Sequence, residues 1–136
     1  MESMESRMVK LYARNNNHVA LHAIPGHFAT SHSHINFYID MTSLKTRANE
    51  AQEVAKSLAG DYVNSTVVDT IVCMDGTEVV GAYLAQEFEK RGFRNTNLHN
   101  TIYVVTPEYN ANNQLIFRDN TIPAIKGKNV ILLLAT

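Results

Sequence analysis

The clearest periodic signal in the chain runs through its first half. Apolar residues at Leu44, Ala48, Ala51, Val54, Ala55 and Leu58 share one face of a helix. Thr42 and Ser43 offer N-caps before it and Gly60 a stop after it, so the pattern predicts one continuous helix. A second helix is expected from about Glu78 to Arg91, with Val80, Leu84 and Phe88 at intervals of four and Gly92 as its stop. Between them, Val67–Met74 is apolar except for Asp69 and Thr70, and β-branched residues dominate it. That suits a strand buried on both faces of a parallel sheet, and Ile102–Thr106 and Val130–Leu134 read the same way.

Upstream, Val9–Ala13 reads as a strand or the tail of a helix. Val19–Ile24 reads as a strand ended by Pro25-Gly26, and Phe37–Met41 as another. Downstream, Tyr109–Asn113 reads as a polar loop, Gln114–Arg118 as an edge strand and Pro123–Lys128 as a turn. Helices alternating with apolar strands imply parallel crossovers and an α/β fold. The repeated MES at the start is tag-like and stands outside the fold. Nothing follows Val130–Leu134 to cover it. The expectation is that the polypeptide is the front part of a longer fold, with self-association through this strand as the alternative.

Composition narrows the function classes. The 136 residues fit one domain, and 45% hydrophobic with 18% charged is an ordinary globular balance. With 12 basic and 13 acidic residues and no basic run, binding to nucleic acid through bulk charge is not expected. No apolar run is long enough to span a bilayer and no secretory signal is visible, so a cytoplasmic location without membrane attachment is expected. The single cysteine, Cys73, lies in an apolar run and reads as a buried structural thiol.

Two segments could carry chemistry. Val72-Cys73-Met74-Asp75-Gly76-Thr77-Glu78 is a strand, a glycine turn and a helix start. Backbone N–H groups and the helix dipole converge at such a turn and favour a phosphate. Asp75 would repel an anion there unless it caps the helix or holds a metal. The other segment is the histidine-rich stretch from His27 to His34. In a strand, His32 and His34 would share a face and could hold a metal, but no Cys or Glu stands nearby. Hydrogen bonding to a sugar phosphate or a base suits this Ser/Thr/His-rich loop better, and no metal ligand set is assigned.

Together these segments resemble the orotate phosphoribosyltransferase family. Gly26, Phe28 and Tyr38 fall in register with that family's N-terminal hood motif. Val68–Met74 with Asp75–Glu78 and Val79-Val80-Gly81 is similar to its strand, pyrophosphate loop and helix. Ile102–Thr106, the stretch 107–120 and Gly127-Lys128-Asn129-Val130 follow the family's strand, mobile loop and Gly-Lys-x-Val step.

The resemblance implies a type I phosphoribosyltransferase-like α/β fold. Residues 8–41 would be a hood and 42–136 a core with a parallel central sheet flanked by helices, while 1–7 would be tag-like or disordered. It also implies transfer of ribosyl phosphate from phosphoribosyl pyrophosphate to a pyrimidine-type base, with Mg²⁺, in a homodimer. Asp75, Gly76, Thr77 and Glu78 would meet the pyrophosphate, and Ser31, His32, His34 and Tyr38 the base or phosphate.

The departures are specific. Ser31 replaces the hood lysine, residues 107–120 hold one base, Arg118, and Leu134-Ala135-Thr136 supplies neither acid of the ribose-phosphate motif. The chain alone is therefore expected to be inactive. A catalytically silent relative, serving as a ligand-sensing or assembly module, is the alternative expectation.

Overall fold

A computed structural model describes residues 4–135. The chain is mixed α/β, with a small parallel sheet and two antiparallel ones. A helical turn, α1 (Met4–Arg7), leads into β1 (Val9–Tyr12), β2 (Ala20–Ala29) and β3 (His34–Asp40), an antiparallel sheet in that order. Then come α2 (Thr42–Thr46), α3 (Ala48–Tyr62), β4 (Thr70–Cys73), α4 (Glu78–Lys90) and β5 (Tyr103–Val105). A short hairpin, β6 (Glu108–Tyr109) and β7 (Leu115–Ile116), precedes a 3-10 turn at Ile122–Ala124 and the last strand, β8 (Val130–Leu133). Among the described residues no helix is long and apolar enough to cross a membrane.

The parallel sheet has the order β5-β4-β8, so the chain leaves β4 to one side and returns on the other. Only β4 is buried on both faces. The expectation of full burial fails for β5 and β8 because they are the edges of this three-stranded sheet, and Leu132 stays 55% exposed. The helix-facing side carries Ile71 and Cys73 with Ile131 and Leu133 beside them, packed on Leu84, Ala85 and the fully buried Phe88 of α4. Met4–Arg7, expected to stand outside the fold, is helical, and Arg7 Nη1 donates to the Pro25 carbonyl (3.0 Å). Residues 1–3 and Thr136 lie outside the described residues.

Three further expectations are corrected. The helix predicted from Thr42 to Gly60 is two helices. Arg47 is extended (φ −83°, ψ 118°) between α2 and α3, and α3 runs through Gly60 to Tyr62. Leu44 and Ala51 stay buried because their separation of seven is two helical turns, so the break leaves no trace in the periodicity. Neither Thr42 nor Ser43 caps a helix; the Thr42 N–H is taken by Asp40 Oδ1 (3.0 Å). Pro25-Gly26 does not end β2: Pro25 still pairs with Phe37, and Gly26 falls in a bulge between Pro25 and Phe28. The polar loop at Tyr109–Asn113 and the edge strand at Gln114–Arg118 hold in shortened form, as the turn and the second strand of the β6–β7 hairpin. Its turn is closed by Asn110, whose Oδ1 accepts from the N–H groups of Asn112 and Gln114 (both 2.9 Å).

Asp69 explains the polar break in the β4 run. It is fully buried. Its Oδ1 accepts from the Thr96 N–H (2.5 Å), and its Oδ2 from the Thr96 hydroxyl (2.9 Å), the Asn129 N–H (2.8 Å) and the Asn129 amide (2.9 Å). Burial pushes this carboxyl up, but those four bonds outweigh it and hold its pKa down at about 2.

Two stability predictions follow from these contacts. A Cβ on Gly81 would collide with the Cys73 sulfur, so α4 lies on β4 only because position 81 is bare. Gly81→Ala should cost about 1–3 kcal/mol by overpacking. In a Cys73→Ala background the same change should be neutral or stabilising, since alanine favours helix by about 1 kcal/mol. Urea melts of the four proteins check the cycle. Asp69→Asn should cost about 3 kcal/mol at neutral pH, because it sets an amide donor against four donors. The folded carboxyl lies below its unfolded value of 3.8. Its contribution is therefore complete at neutral pH and fades as pH falls through 4 towards 2. The stability gap between wild type and Asp69→Asn should narrow by about 2 kcal/mol over that window, read from urea midpoints.

Candidate anion-binding turn

The C-terminal edge of the parallel sheet is organised by the turn between β4 and α4. Asp75 (φ 57°) and Gly76 (φ 76°) are both left-handed, and the Thr77 N–H closes back on the Met74 carbonyl (3.3 Å). Two successive left-handed residues inside such a bond are the signature of a type I′ turn, for which Asp-Gly is a preferred pair. The first helical bond is from the Gly81 N–H to the Thr77 carbonyl (2.9 Å), which leaves the N–H groups of Glu78, Val79 and Val80 without intrahelical acceptors.

Thr77 is not a free ligand. It is buried, and its hydroxyl lies within bonding distance of the carbonyls of Met74 (2.7 Å) and Leu133 (3.2 Å), so it ties β4 to β8. Asp75 and Glu78 are exposed on the rim. The Thr106 hydroxyl donates to Glu78 Oε1 (3.4 Å), joining the end of β5 to the start of α4. Lys45, from α2, reaches across and donates to the Asp75 carbonyl (2.9 Å), with its ammonium 3.8 Å from where a Gly76 Cβ would be. A cavity of about 220 Å³ opens beside the turn, bounded by Met74, Gly76 and Glu78 on one side and by Thr106, Pro107 and Tyr109 on the other. Beneath it Cys73 is pushed up to about 11 by burial and by the nearby Glu78 carboxylate, against the Thr77 hydroxyl, so its thiol is inert at neutral pH.

Among the described residues no three His, Cys, Asp or Glu side chains converge as a metal cage. Asp75 and Glu78 can offer one or two carboxylate ligands at most. That suits a magnesium ion completed by water and phosphate oxygens better than an all-protein site.

The hood residues gather elsewhere. Thr30 closes the β2–β3 turn: its Oγ1 accepts from the N–H groups of His32 (3.2 Å) and Ser33 (2.9 Å). Ser31, His32, His34 and Tyr38 are all exposed. His32 and His34 do not pair as a strand would pair them, because β3 begins only at His34. The pair that forms is His27 Nε2 with His34 Nδ1 (2.8 Å). Tyr38 packs on Phe28 (ring centroids 5.7 Å apart), and a Cβ at Gly26 would stand 2.9 Å from the same Phe28 ring. No hydrogen bond among the described residues joins these hood positions to Asp75–Glu78. Lys45 and the Arg118–Glu108 pair were missed in the sequence. Arg118 directs both Nε (2.8 Å) and Nη2 (2.7 Å) at Glu108 Oε1 across the β6–β7 hairpin. Only a hairpin register could have revealed that pairing.

No protein family, no curated protein and no solved structure matches the chain.

The turn geometry predicts an asymmetric response at position 76. Gly76→Asn should lower stability by less than about 1 kcal/mol, since asparagine tolerates a left-handed backbone. Gly76→Val should cost at least about 2 kcal/mol, since a β-branched residue does not. Thermal melts of both variants check it, with Gly92→Asn as a control at another left-handed glycine.

Proposed function

We propose that the chain is an orotate phosphoribosyltransferase-like domain that receives the pyrophosphate of phosphoribosyl pyrophosphate, or a similar small anion, at the Met74–Thr77 turn. The observation that carries this reading is the place of the turn. It caps the central strand where the chain departs to opposite sides of β4, and in open α/β sheets ligands sit outside the carboxyl ends of strands at such a switch point. Free N–H groups at the start of α4 and the Lys45 ammonium favour an anion there. The packing of Phe28 against both Gly26 and Tyr38 also supports it, because those three positions carry the hood resemblance. Mg²⁺, bound by Asp75 or Glu78 together with phosphate oxygens, would offset charge on the departing pyrophosphate. Ser31, His32, His34 and Tyr38 remain the proposed contacts to base or phosphate.

One observation favours the silent-relative reading beside it. The only cation in residues 107–120 is already paired with Glu108, and closing charge over pyrophosphate is the part the mobile loop plays in the resembled enzymes. Loss of a single electrostatic donor of that kind typically costs about 100- to 1000-fold in rate.

Two measurements separate the outcomes. Titration of phosphoribosyl pyrophosphate and of pyrophosphate, each with Mg²⁺, should move the backbone amide signals of Gly76, Thr77 and Glu78, and Gly76→Val should weaken the effect. Shifts confined to other residues would sink the site. Pyrophosphate release should then be assayed with orotate, uracil and purine bases in turn. The 136-residue polypeptide is expected to turn over far more slowly than about one per second, the lower end of ordinary enzymes. Turnover at that rate would instead show that the hood histidines or Lys45 supply the missing charge.

A further inference from the structure

The β2–β3 hairpin brings together two imidazoles that lie seven residues apart in the chain. Strand pairing sets Pro25 opposite Phe37 and Phe28 opposite Ile35, so Gly26 and His27 together stand against Asn36 alone. A bulge of this kind re-aims a side chain. Here the His27 ring meets His34, with Nε2 of the first 2.8 Å from Nδ1 of the second, the ring centroids 4.9 Å apart and the planes inclined by 52°. Ala29, directly across from His34, is small and leaves room for this diagonal contact. The turn beyond it is locked by Thr30. Its N–H donates to the Ser33 carbonyl (2.7 Å), and its hydroxyl oxygen accepts from the N–H groups of His32 and Ser33. Both rings are exposed to water.

We infer that His27 and His34 form a chelating site for a late first-row divalent metal ion of the Zn²⁺, Ni²⁺ or Cu²⁺ class. The first support is spacing. Two imidazole nitrogens bound to one such ion at about 2.0–2.1 Å lie roughly 2.9 Å apart at a right angle and roughly 3.3 Å apart at the tetrahedral angle. The 2.8 Å separation is close to the first value, so capture needs small ring rotations and no shift of the strands. The second is preorganisation. Paired strands and the Thr30-bonded turn already hold both rings, so binding has little left to order. The third is donor chemistry. Imidazole suits these ions, whereas Mg²⁺ takes oxygen ligands. In the bond between two neutral rings, one of the facing nitrogens carries the proton. On binding, that proton passes by way of water to the outer nitrogen of the same ring. Each facing nitrogen then offers a lone pair, and neither ring changes charge. Among the described residues no third ligand joins the pair as a cage, so water fills the remaining positions. This site does not rest on the phosphoribosyl reading, whose Mg²⁺ belongs to the β4–α4 turn.

Zn²⁺ titrated into the full chain, followed through the histidine ring signals by NMR, tests the site. The rings of His27 and His34 should shift together and saturate at one ion per chain, ahead of His18, His22, His32 and His99. His27→Ala and His34→Ala should each weaken binding at least about 10-fold, since even an outer-shell partner of a metal ligand is worth that much. The double variant should bind little more weakly than either single one, because two donors of one chelate are not additive. His32→Ala should change the affinity less than twofold. Zn²⁺ should also raise the urea midpoint of wild type and of His32→Ala, but not that of the other two variants, whose melts without metal show that they fold. Cu²⁺ should bind more tightly than Zn²⁺, and Mg²⁺ should move neither ring. The inference is overturned if Zn²⁺ shifts all six histidines without preference, if the losses of the single variants add in the double one, or if His32→Ala weakens binding as much as His27→Ala. Amide shifts at Gly76 with Mg²⁺ and pyrophosphate are read separately, so either site can fail without the other.

Discussion

The burial of one carboxylate, Asp69, sets the geometry of the parallel sheet. A buried charge is tolerated only when its lone pairs are taken up, and here the groups that take them up come from two different connections. Thr96 belongs to the segment entering β5, and Asn129 to the segment entering β8. The backbone repeats the arrangement: the Asp69 N–H donates to the Asn129 carbonyl (2.9 Å), while the Asp69 carbonyl accepts from the Tyr103 N–H (3.0 Å) and the Asn97 amide (2.8 Å). Both edge strands are therefore fixed to the central one at their beginnings, in a sheet whose strands are only three or four residues long. At the other end the Thr77 hydroxyl spans the carbonyls of β4 and β8. The turn that carries the candidate site is held between these two fixed points.

Small residues set how closely helices can approach that frame. The fully buried stripe of α3 is Ala51, Ala55 and Ala59, which lets it lie near α4. Gly81 then lets α4 lie against Cys73. The start of α4 cannot move away from the end of β4 without losing the contacts of Leu84 and Phe88 further along the same helix. A site made of backbone N–H groups has no side chains of its own to adjust, so its precision depends on this packing.

Much of the core was legible in the sequence because burial leaves a periodic trace. The Leu84–Phe88 face of α4 and the apolar run of β4 could be read directly, as could the left-handed turn at Asp75-Gly76, since Asp-Gly is informative by itself. The break at Arg47 was not legible, because a helix can stop and restart after two turns with its apolar face still aligned. Pro25-Gly26 was misread as a strand end because a bulge uses the same residues as a turn. Hood contacts were the least legible. His32 and His34 are adjacent in pattern, yet the hairpin register selects His27 as the partner, and register is a long-range property that short windows do not contain. In the same way Asp69 appeared only as an interruption, since its partners lie 27 and 60 residues away.

The electrostatics of the turn bear on the kind of anion it can accept. Asp75 and Glu78 place two exposed carboxylates around the N–H groups at the start of α4, while the nearest cation, Lys45, is already held by a backbone carbonyl. A bare phosphate would meet attraction from the dipole and from Lys45, and repulsion from both acids. A phosphate that brings a divalent cation changes the sign of the second effect, because the acids then face the cation. The two kinds of group need not compete: backbone N–H groups take phosphate oxygens, and carboxylates take the metal carried with them. In the proposed reading, Asp75 would select for a metal-bearing polyphosphate over a simple monoanion, since its carboxylate is exposed at the rim of the turn. In that reading, the same acid that weakened the anion-binding expectation when taken as a lone residue would be the group that makes the site selective.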